Sequence, residues 1–389
     1  MTGAQIVGWA HSAFGKSPAP DTETLMAEVV GPALEHAGVT AADIDAIFVG
    51  VYNNGFSRQD FQAALVGMGH PALGTTPATR FENACATGSA AVFGALDFVE
   101  AGRGRMALVL GAEKMTGLPS SQVGDVLMSG CYRKEEAATE AGFAGIFGRI
   151  AQTYFQRYGD QSEALAAIAA KNHRNGVFNP VAHMRTDLGF EFCNSVSERN
   201  PLVAPPLRRT DCSLVSDGAA ALVIADAHTA STMPRALSFR GRAHANDLMA
   251  LSRRDPVAFD GARHAWATAL RDANLTVEDL DLVETHDCFT IAELIEYEAM
   301  GLAAPGQGHR IIREGISEKS GRLPVNPSGG LKARGHPLGA TGVSMHVMAA
   351  QQLAGEAGGM QIPAASLAGV FNMGGAAVTN YVSILERAR

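Results

Sequence analysis

The sequence predicts an α/β protein of two similar halves related by a pseudo-twofold axis, with an extra segment inserted in the first half. Three observations lead there. Ala-Leu-Glu-His-Ala-Gly-Val-Thr-Ala-Ala-Asp-Ile-Asp from Ala33 is echoed 236 residues later by Ala-Leu-Arg-Asp-Ala-Asn-Leu-Thr-Val-Glu-Asp-Leu-Asp from Ala269, and an internal repeat sets the architecture before any single element does. Apolar strand-like runs alternate with helical stretches in both halves, the pattern of βαβ units around buried sheets. The first half also carries residues 117–210, which have no counterpart in the second.

In chain order, the helix closing at Gly38 has glycine at the position after its last turn, where a left-handed residue is needed. A Thr turn and an apolar strand over residues 46–51 follow. Ala86-Thr-Gly88 opens an Ala-rich helix running from about Gly88 to Glu100 and closed by Gly102. A strand begins at Met106, the insertion follows, and Ser216-Asp-Gly-Ala-Ala-Ala-Leu-Val-Ile224 closes the half as another strand. The second half repeats the plan. The helix near Ala269 leads to the strand at Leu282, Ala340-Thr-Gly342 opens the matching Ala-rich helix, and Gly374-Gly-Ala-Ala-Val leads into the closing strand. The expected division is residues 1–116 with 211–230 for the first half, 117–210 for the insertion and 231–389 for the second half.

Composition bounds the function. The 389 residues are 47% apolar and 18% charged, with 43 glycines and a net charge of −8. Such a chain buries a large core, packs helices closely on sheets and leaves little charged surface, which favours association into a homodimer or homotetramer. Net acidity without a Lys/Arg-rich run argues against nucleic acid as the partner. No apolar run approaches a membrane span, and no signal pattern opens the chain. Five cysteines without a Cys-x-x-Cys pair point to a reducing compartment, so the expected location is cytoplasmic. Neither a Walker loop nor a strand-linked Gly-x-Gly-x-x-Gly is present, and phosphate-loop and dinucleotide functions are not expected.

Four residues stand out as chemistry. Cys85, in Asn83-Ala-Cys-Ala-Thr-Gly88, precedes a helix N-terminus, where free amides stabilise a thiolate and make a nucleophile; a buried structural thiol is the alternative. His336, in Gly335-His-Pro-Leu-Gly, precedes the helix that the repeat pairs with the Cys85 helix, so duplication brings an imidazole base to the thiol; capping of its own turn is the alternative. His286 and Cys288, in Glu284-Thr-His-Asp-Cys-Phe289, lie where a strand ends and a helix begins. On extended chain they face one side, as an oxyanion donor and a second acid/base. Plain packing, or zinc ligation with His336, competes with that reading, but no further ligand is evident. No metal is expected.

Asn-Ala-Cys-Ala-Thr-Gly-Ser-Ala around Cys85, His-Asp-Cys-Phe from His286, Asn-Pro-Ser-Gly-Gly-Leu-Lys-Ala-Arg-Gly-His-Pro-Leu-Gly-Ala-Thr-Gly from Asn326 and Ser-Asp-Gly-Ala-Ala-Ala-Leu-Val-Ile from Ser216 together resemble the thiolase superfamily over nearly the whole chain. The His-Asp-Cys-Phe motif is similar to that of the sterol-carrier-protein type. The resemblance implies a layered fold of two βαβαβαββ halves with an inserted loop domain. It implies Claisen-type acyl transfer between coenzyme A thioesters, or the reverse CoA-dependent cleavage of a 3-ketoacyl-CoA, within lipid metabolism. The partners would be acyl-CoA and CoA, with no other cofactor. Cys85 would carry the acyl group, His336 would activate it, and His286 would face the thioester oxygen of the second substrate. Ser213 would lie beside the pantetheine arm, and the Met373-Gly374 turn would help bind an oxyanion. Many thiolases have a second catalytic cysteine in that turn. Here it reads Phe371-Asn-Met-Gly-Gly375, leaving Cys288 as the expected second acid/base. Acyl transfer to a carbon acid other than a CoA ester, an aldolase-like reaction, or a non-catalytic acyl-CoA-binding role are the competing functions. Several arginines of the insertion, Arg149, Arg157, Arg174, Arg185, Arg208 and Arg209, are candidates for the CoA phosphates.

Overall fold

The computed structural model describes residues 3–388; Met1, Thr2 and Arg389, the outer ends of the two expected halves, lie outside it. The strands are β1 (Gln5–His11), β2 (Ala46–Gly50), β3 (Ala78–Phe81), β4 (Met106–Glu113), β5 (Leu202–Ala204), β6 (Leu207–Arg208), β7 (Gly218–Ala225), β8 (Leu237–Asn246), β9 (Leu282–Glu284), β10 (Leu367–Gly374) and β11 (Thr379–Arg387). Nine of them form one sheet system in the order β3-β2-β4-β7-β1-β8-β11-β10-β9. Reading outward from the β1/β8 junction, β1 matches β8, β7 matches β11, β4 matches β10 and β2 matches β9. A parallel bridge from Val283 to Val325 stands where β3 does in the first half. The junction itself is short and antiparallel, Gln5 with Ser238 and Ile6 with Leu237.

The local chemistry repeats as well. In both halves a threonine starts a 3₁₀ turn, Thr40 before Ala41–Asp43 and Thr276 before Val277–Asp279. An aspartate three residues on accepts from the threonine amide and hydroxyl, at 2.8 and 2.9 Å for Asp43 and at 2.7 and 2.8 Å for Asp279. This reciprocal cap turns the chain from helix into strand at the same point of each half. The preceding helices, Thr22–Ala37 and Asp260–Ala273, end on left-handed residues, Gly38 and Asn274.

Those two helices cover the outer faces, the first on β1 and β7, the second on β8 and β11. Between the sheet halves lie the Ala/Gly-rich helices Thr87–Glu100 and Leu338–Ala354, packed on each other. The second of these is buried except at Gln351 and Ala354, as a central layer demands. The segment from β4 to β7 covers the stretch assigned to the insertion. It holds the helices Ser120–Leu127, Gly142–Tyr158 and Ser162–Gly176 and the β5–β6 pair. Among the described residues no helix is long and apolar enough to cross a membrane.

The two Ala-Thr-Gly motifs mark where the central helices cross. A Cβ on Gly88 would lie 2.7 Å from Val343 N and 2.9 Å from Gly339 O, and one on Gly342 would lie 2.6 Å from the Ser89 hydroxyl. Only glycine allows backbones to approach this closely. The crossing brings the starts of the two helices together at the seam.

Candidate active site

Cys85 sits between β3 and the helix Thr87–Glu100 on a tight turn. Ala84 adopts φ 50°, a left-handed conformation that costs energy for a residue with a Cβ. The turn is held from both ends. The Thr87 hydroxyl donates to Ala84 O at 2.6 Å and accepts from Asn83 N at 2.8 Å, and the Glu82 carboxylate accepts from Ala84 N at 2.7 Å. The residue is 7% exposed.

His336 lies between the short helix Gly330–Arg334 and the helix Leu338–Ala354. Its backbone N–H donates to the Ser216 hydroxyl at 3.3 Å, and the Glu113 carboxylate accepts from Gly339 N at 3.0 Å and from Tyr52 N at 2.9 Å. Burial pushes the Glu113 carboxyl up to about 8, against those amides. The Thr341 hydroxyl lies 2.8 Å from Pro337 O and 2.7 Å from His336 Nδ1. Its single proton goes to the carbonyl, since two oxygens at that separation need a proton between them. Thr341 Oγ1 therefore accepts from Nδ1–H, and Nε2 of His336 keeps its lone pair. This nitrogen has no hydrogen-bond partner among the described residues, so it is free to act as a base.

His286 and Cys288 do not lie on extended chain. β9 stops at Glu284, and the next residues form tight turns, with Asp287 N donating to Thr285 O at 3.2 Å and Cys288 N to His286 O at 2.9 Å. Both residues still reach the site, because Asp287 anchors the turn. Its carboxylate accepts from Leu331 N at 2.6 Å, Lys332 N at 3.1 Å and Asn172 Nδ2 at 2.7 Å. The His-Asp-Cys-Phe turn is thereby tied to the segment that carries His336. The Cys85 sulfur and ring nitrogens of His286 and His336 lie within 4.8 Å of one another, and the two rings meet edge to face at 5.0 Å. Cys288, which a zinc set with the two histidines would have included, is not in that group of three.

Three of the four groups open on a mostly apolar channel of about 450 Å³; His286, fully buried, is not in its lining. Cys85, Cys288, His336, Ser213, Phe289 and Phe143 are among its lining. Ser213 is placed there by its amide, which donates to Cys288 O at 2.9 Å. Met373 and Gly374 are placed differently from the sequence expectation. Both belong to β10 and neither lines the channel. The amide facing the Cys85 sulfur is that of Gly375, one residue further on. A left-handed φ of 64° at Gly375 turns the chain there.

The electrostatics also differ from the expectation of a thiol acidified by its helix. Burial pushes the Cys85 thiol up to about 12, outweighing the amides of Gly375 and of Cys85 itself. Burial and the Arg334 cation push His336 down to about 3. Burial, then His336 and Arg334, holds His286 well below the usual histidine range, and burial holds the Cys288 thiol well above the cysteine range. Near neutrality all four are uncharged, so the thiol and imidazole are a neutral pair and not a thiolate–imidazolium. Below a raised thiol pKa the thiolate fraction grows tenfold per pH unit. Alkylation of Cys85 by iodoacetamide is therefore expected to accelerate continuously from pH 6 to 9. A plateau beginning near pH 7 would contradict this.

Sequence reasoning missed Asn372, Gly375, Tyr52 and Phe143. The signal for Asn372 was present as an asparagine within the apolar run Leu367–Gly374. Among the arginines, Arg208 is buried against Asp211, while Arg157 and Arg174 pair with Asp255 and Glu318. Arg149 instead lines a surface cavity of about 440 Å³, which shares Ala141 and Val203 with the channel.

Residues 4–188 match the family model for the thiolase N-terminal domain, and residues 243–387 match the thiolase C-terminal domain-like model. The chain is 35% identical to an acetyl-CoA acetyltransferase of Methanothermobacter thermautotrophicus, covering 100% of both chains. It is 31% identical to human sterol carrier protein 2, over 95% of this chain and 69% of that one. Among solved structures, an Ltp2-ChsH2(DUF35) aldolase superposes with a TM-score of 0.82 at 20% identity, over 100% of this chain and 98% of that one. A monomeric SCP2-thiolase like protein type 1 from Mycobacterium smegmatis gives 0.75 at 17%, over 98% of this chain and 77% of that one. With the layered fold and the converging cysteine and histidines, these matches establish that the chain belongs to the thiolase family.

Proposed function

We propose that this protein is a thiolase-type acyltransferase that moves a short acyl group between coenzyme A and carbon through an acyl-Cys85 intermediate. The observation that carries the reading is the convergence of the Cys85 sulfur and the nitrogens of His286 and His336 within 4.8 Å at the channel. In the cleavage direction Cys85 attacks the 3-keto carbon of the substrate while its proton passes to Nε2 of His336. The C2–C3 bond then breaks, leaving the acyl group on sulfur and an acetyl-CoA enolate. His286 faces the enolate oxygen as a donor, and Cys288, held as a neutral thiol, gives the carbon its proton. Free CoA then attacks acyl-Cys85, its thiol proton restores Cys288, and the departing Cys85 thiolate takes its proton back from His336. Condensation is the same sequence reversed. In this reading the Cys85 and Gly375 amides support the tetrahedral oxyanion, and Arg149, in the cavity that adjoins the channel, takes a phosphate of CoA.

The space beside the sulfur supports the short-acyl part of this reading. A cavity of only about 20 Å³, bounded by Tyr52, Leu127, Gly130 and Phe143 among others, adjoins Cys85, room for a methyl group rather than a chain. Acetoacetyl-CoA plus CoA is therefore expected to react with kcat/KM at least about tenfold above that of the six-carbon 3-ketoacyl-CoA. Equal rates across chain lengths would remove the short-acyl assignment, and no reaction with any of them would remove the thiolase reading.

An aldol cleavage is the second reading, favoured by the fold likeness to the Ltp2-ChsH2(DUF35) aldolase. It needs no acyl-enzyme, so an acetyl mass increment on Cys85 after mixing with acetyl-CoA separates the two.

A further inference from the structure

The side chain of Asn372, in β10, is fully buried and touches three groups. Its Nδ2 lies 3.1 Å from Cys85 O and 2.9 Å from His286 Nδ1, and its Oδ1 lies 2.8 Å from the Ser89 hydroxyl. We propose that Asn372 is a positioning residue that fixes His286 in the Nε2–H tautomer, making it a permanent hydrogen-bond donor to the site while its neighbour His336 is a permanent acceptor. The inference rests on the thiolase reading only for what the donor serves, not for the tautomer itself.

The orientation of the amide decides the matter. Cys85 O is a carbonyl and can only accept, so the group facing it must be the NH₂. Turning the amide over would set two oxygens against each other at 3.1 Å. With NH₂ on that side, its second hydrogen points at Nδ1 of His286, which must offer a lone pair. A proton on Nδ1 would face an N–H, so both the other tautomer and the imidazolium are disfavoured. The ring proton is left on Nε2, which has no partner among the described residues. The Ser89 hydroxyl completes the set by donating to Oδ1. The two rings, in edge-to-face contact at 5.0 Å, thus present opposite hydrogen-bonding faces, as a site needs when one group accepts the thiol proton and another stabilises an enolate oxygen.

The other charged or titratable groups around His286 are Cys85, Cys288, His336, Arg334, Glu296 and the adjacent Asp287, whose carboxylate is taken up by Leu331 N, Lys332 N and Asn172. None of them contacts Nδ1, so the tautomer turns on residue 372. Ring-¹⁵N-labelled histidine in the whole protein gives the test, with the His286 signals assigned by their loss in His286→Gln. Nδ1 unprotonated and Nε2 protonated from pH 6 to 9 is the expected spectrum; a proton on Nδ1 overturns the proposal whatever the enzyme's activity. In Asn372→Asp a carboxylate replaces the donor and draws a proton onto Nδ1. Below the new imidazolium pKa the ring still offers Nε2–H; above it the remaining proton stays on Nδ1 and the donor is lost. Acetoacetyl-CoA cleavage by Asn372→Asp is expected to fall at least about tenfold from pH 6 to 9 relative to the parent protein. A loss equal at every pH means that Asn372 serves packing alone.

Discussion

Cys85→Ala is expected to cleave acetoacetyl-CoA at less than about a thousandth of the parent rate, and to take up no acetyl group. The size of the effect follows from the absence of a substitute. Two other thiols line the channel: Cys288, on the His-Asp-Cys-Phe turn, is held neutral by burial, Cys212 is pushed up to about 12 by burial, and the Gly375 amide faces the Cys85 sulfur. The fold should survive, because the turn around position 85 is held by Asn83, Thr87 and Glu82 and not by the sulfur. Steady-state cleavage, intact-protein mass after acetyl-CoA and a thermal melt form the test. A variant with a normal melt and more than a tenth of the parent activity would mean that the acyl group never resided on Cys85.

Gly342→Ala should have the largest effect on stability, roughly 3 kcal/mol, with activity lost alongside. Its Cβ would arrive 2.5 Å from Asn372 Oδ1 and 2.6 Å from the Ser89 hydroxyl, and closer still to the Ser89 backbone. Nothing there is the loose end of a long side chain, so the two central helices must separate. Gly31 is the control. It lies within the helix Thr22–Ala37, and a Cβ there meets nothing within 4 Å. Gly31→Ala should stabilise by about 0.5–1 kcal/mol, because alanine loses less backbone entropy on folding. Denaturant unfolding of both variants checks the pair. A neutral Gly342→Ala would show that the helix crossing tolerates an added carbon.

Much of the fold was legible because duplication left its marks in short polar signals. Thr40 with Asp43 and Thr276 with Asp279 are the same cap written twice. The two Ala-Thr-Gly motifs proved to be the point where the two central helices cross. The same logic located Cys85 and His336, each just before a central helix. The His-Asp-Cys-Phe geometry was not legible: strand period alone put His286 and Cys288 on extended chain, whereas Asp287 bends them into place by contacts with residues 331 and 332. The thiol's protonation was misjudged for a related reason. A helix N-terminus can be read from sequence, but the depth of burial that overrides it depends on the whole fold. Asn372 escaped notice because its significance lies in which way its amide faces, and that is set by the Cys85 carbonyl 287 positions away.

The helix crossing at Gly88 and Gly342 acts as a caliper. The gap between sulfur and imidazole is inherited from how two long, buried rods rest on each other, so the reacting groups stand ready before any substrate enters. Much of the channel's lining, from Ser120 to Val203, comes from the insertion, a separate part of the chain. Sequence drift in residues 117–210 is therefore expected to alter substrate preference while the geometry of the reacting groups stays constant.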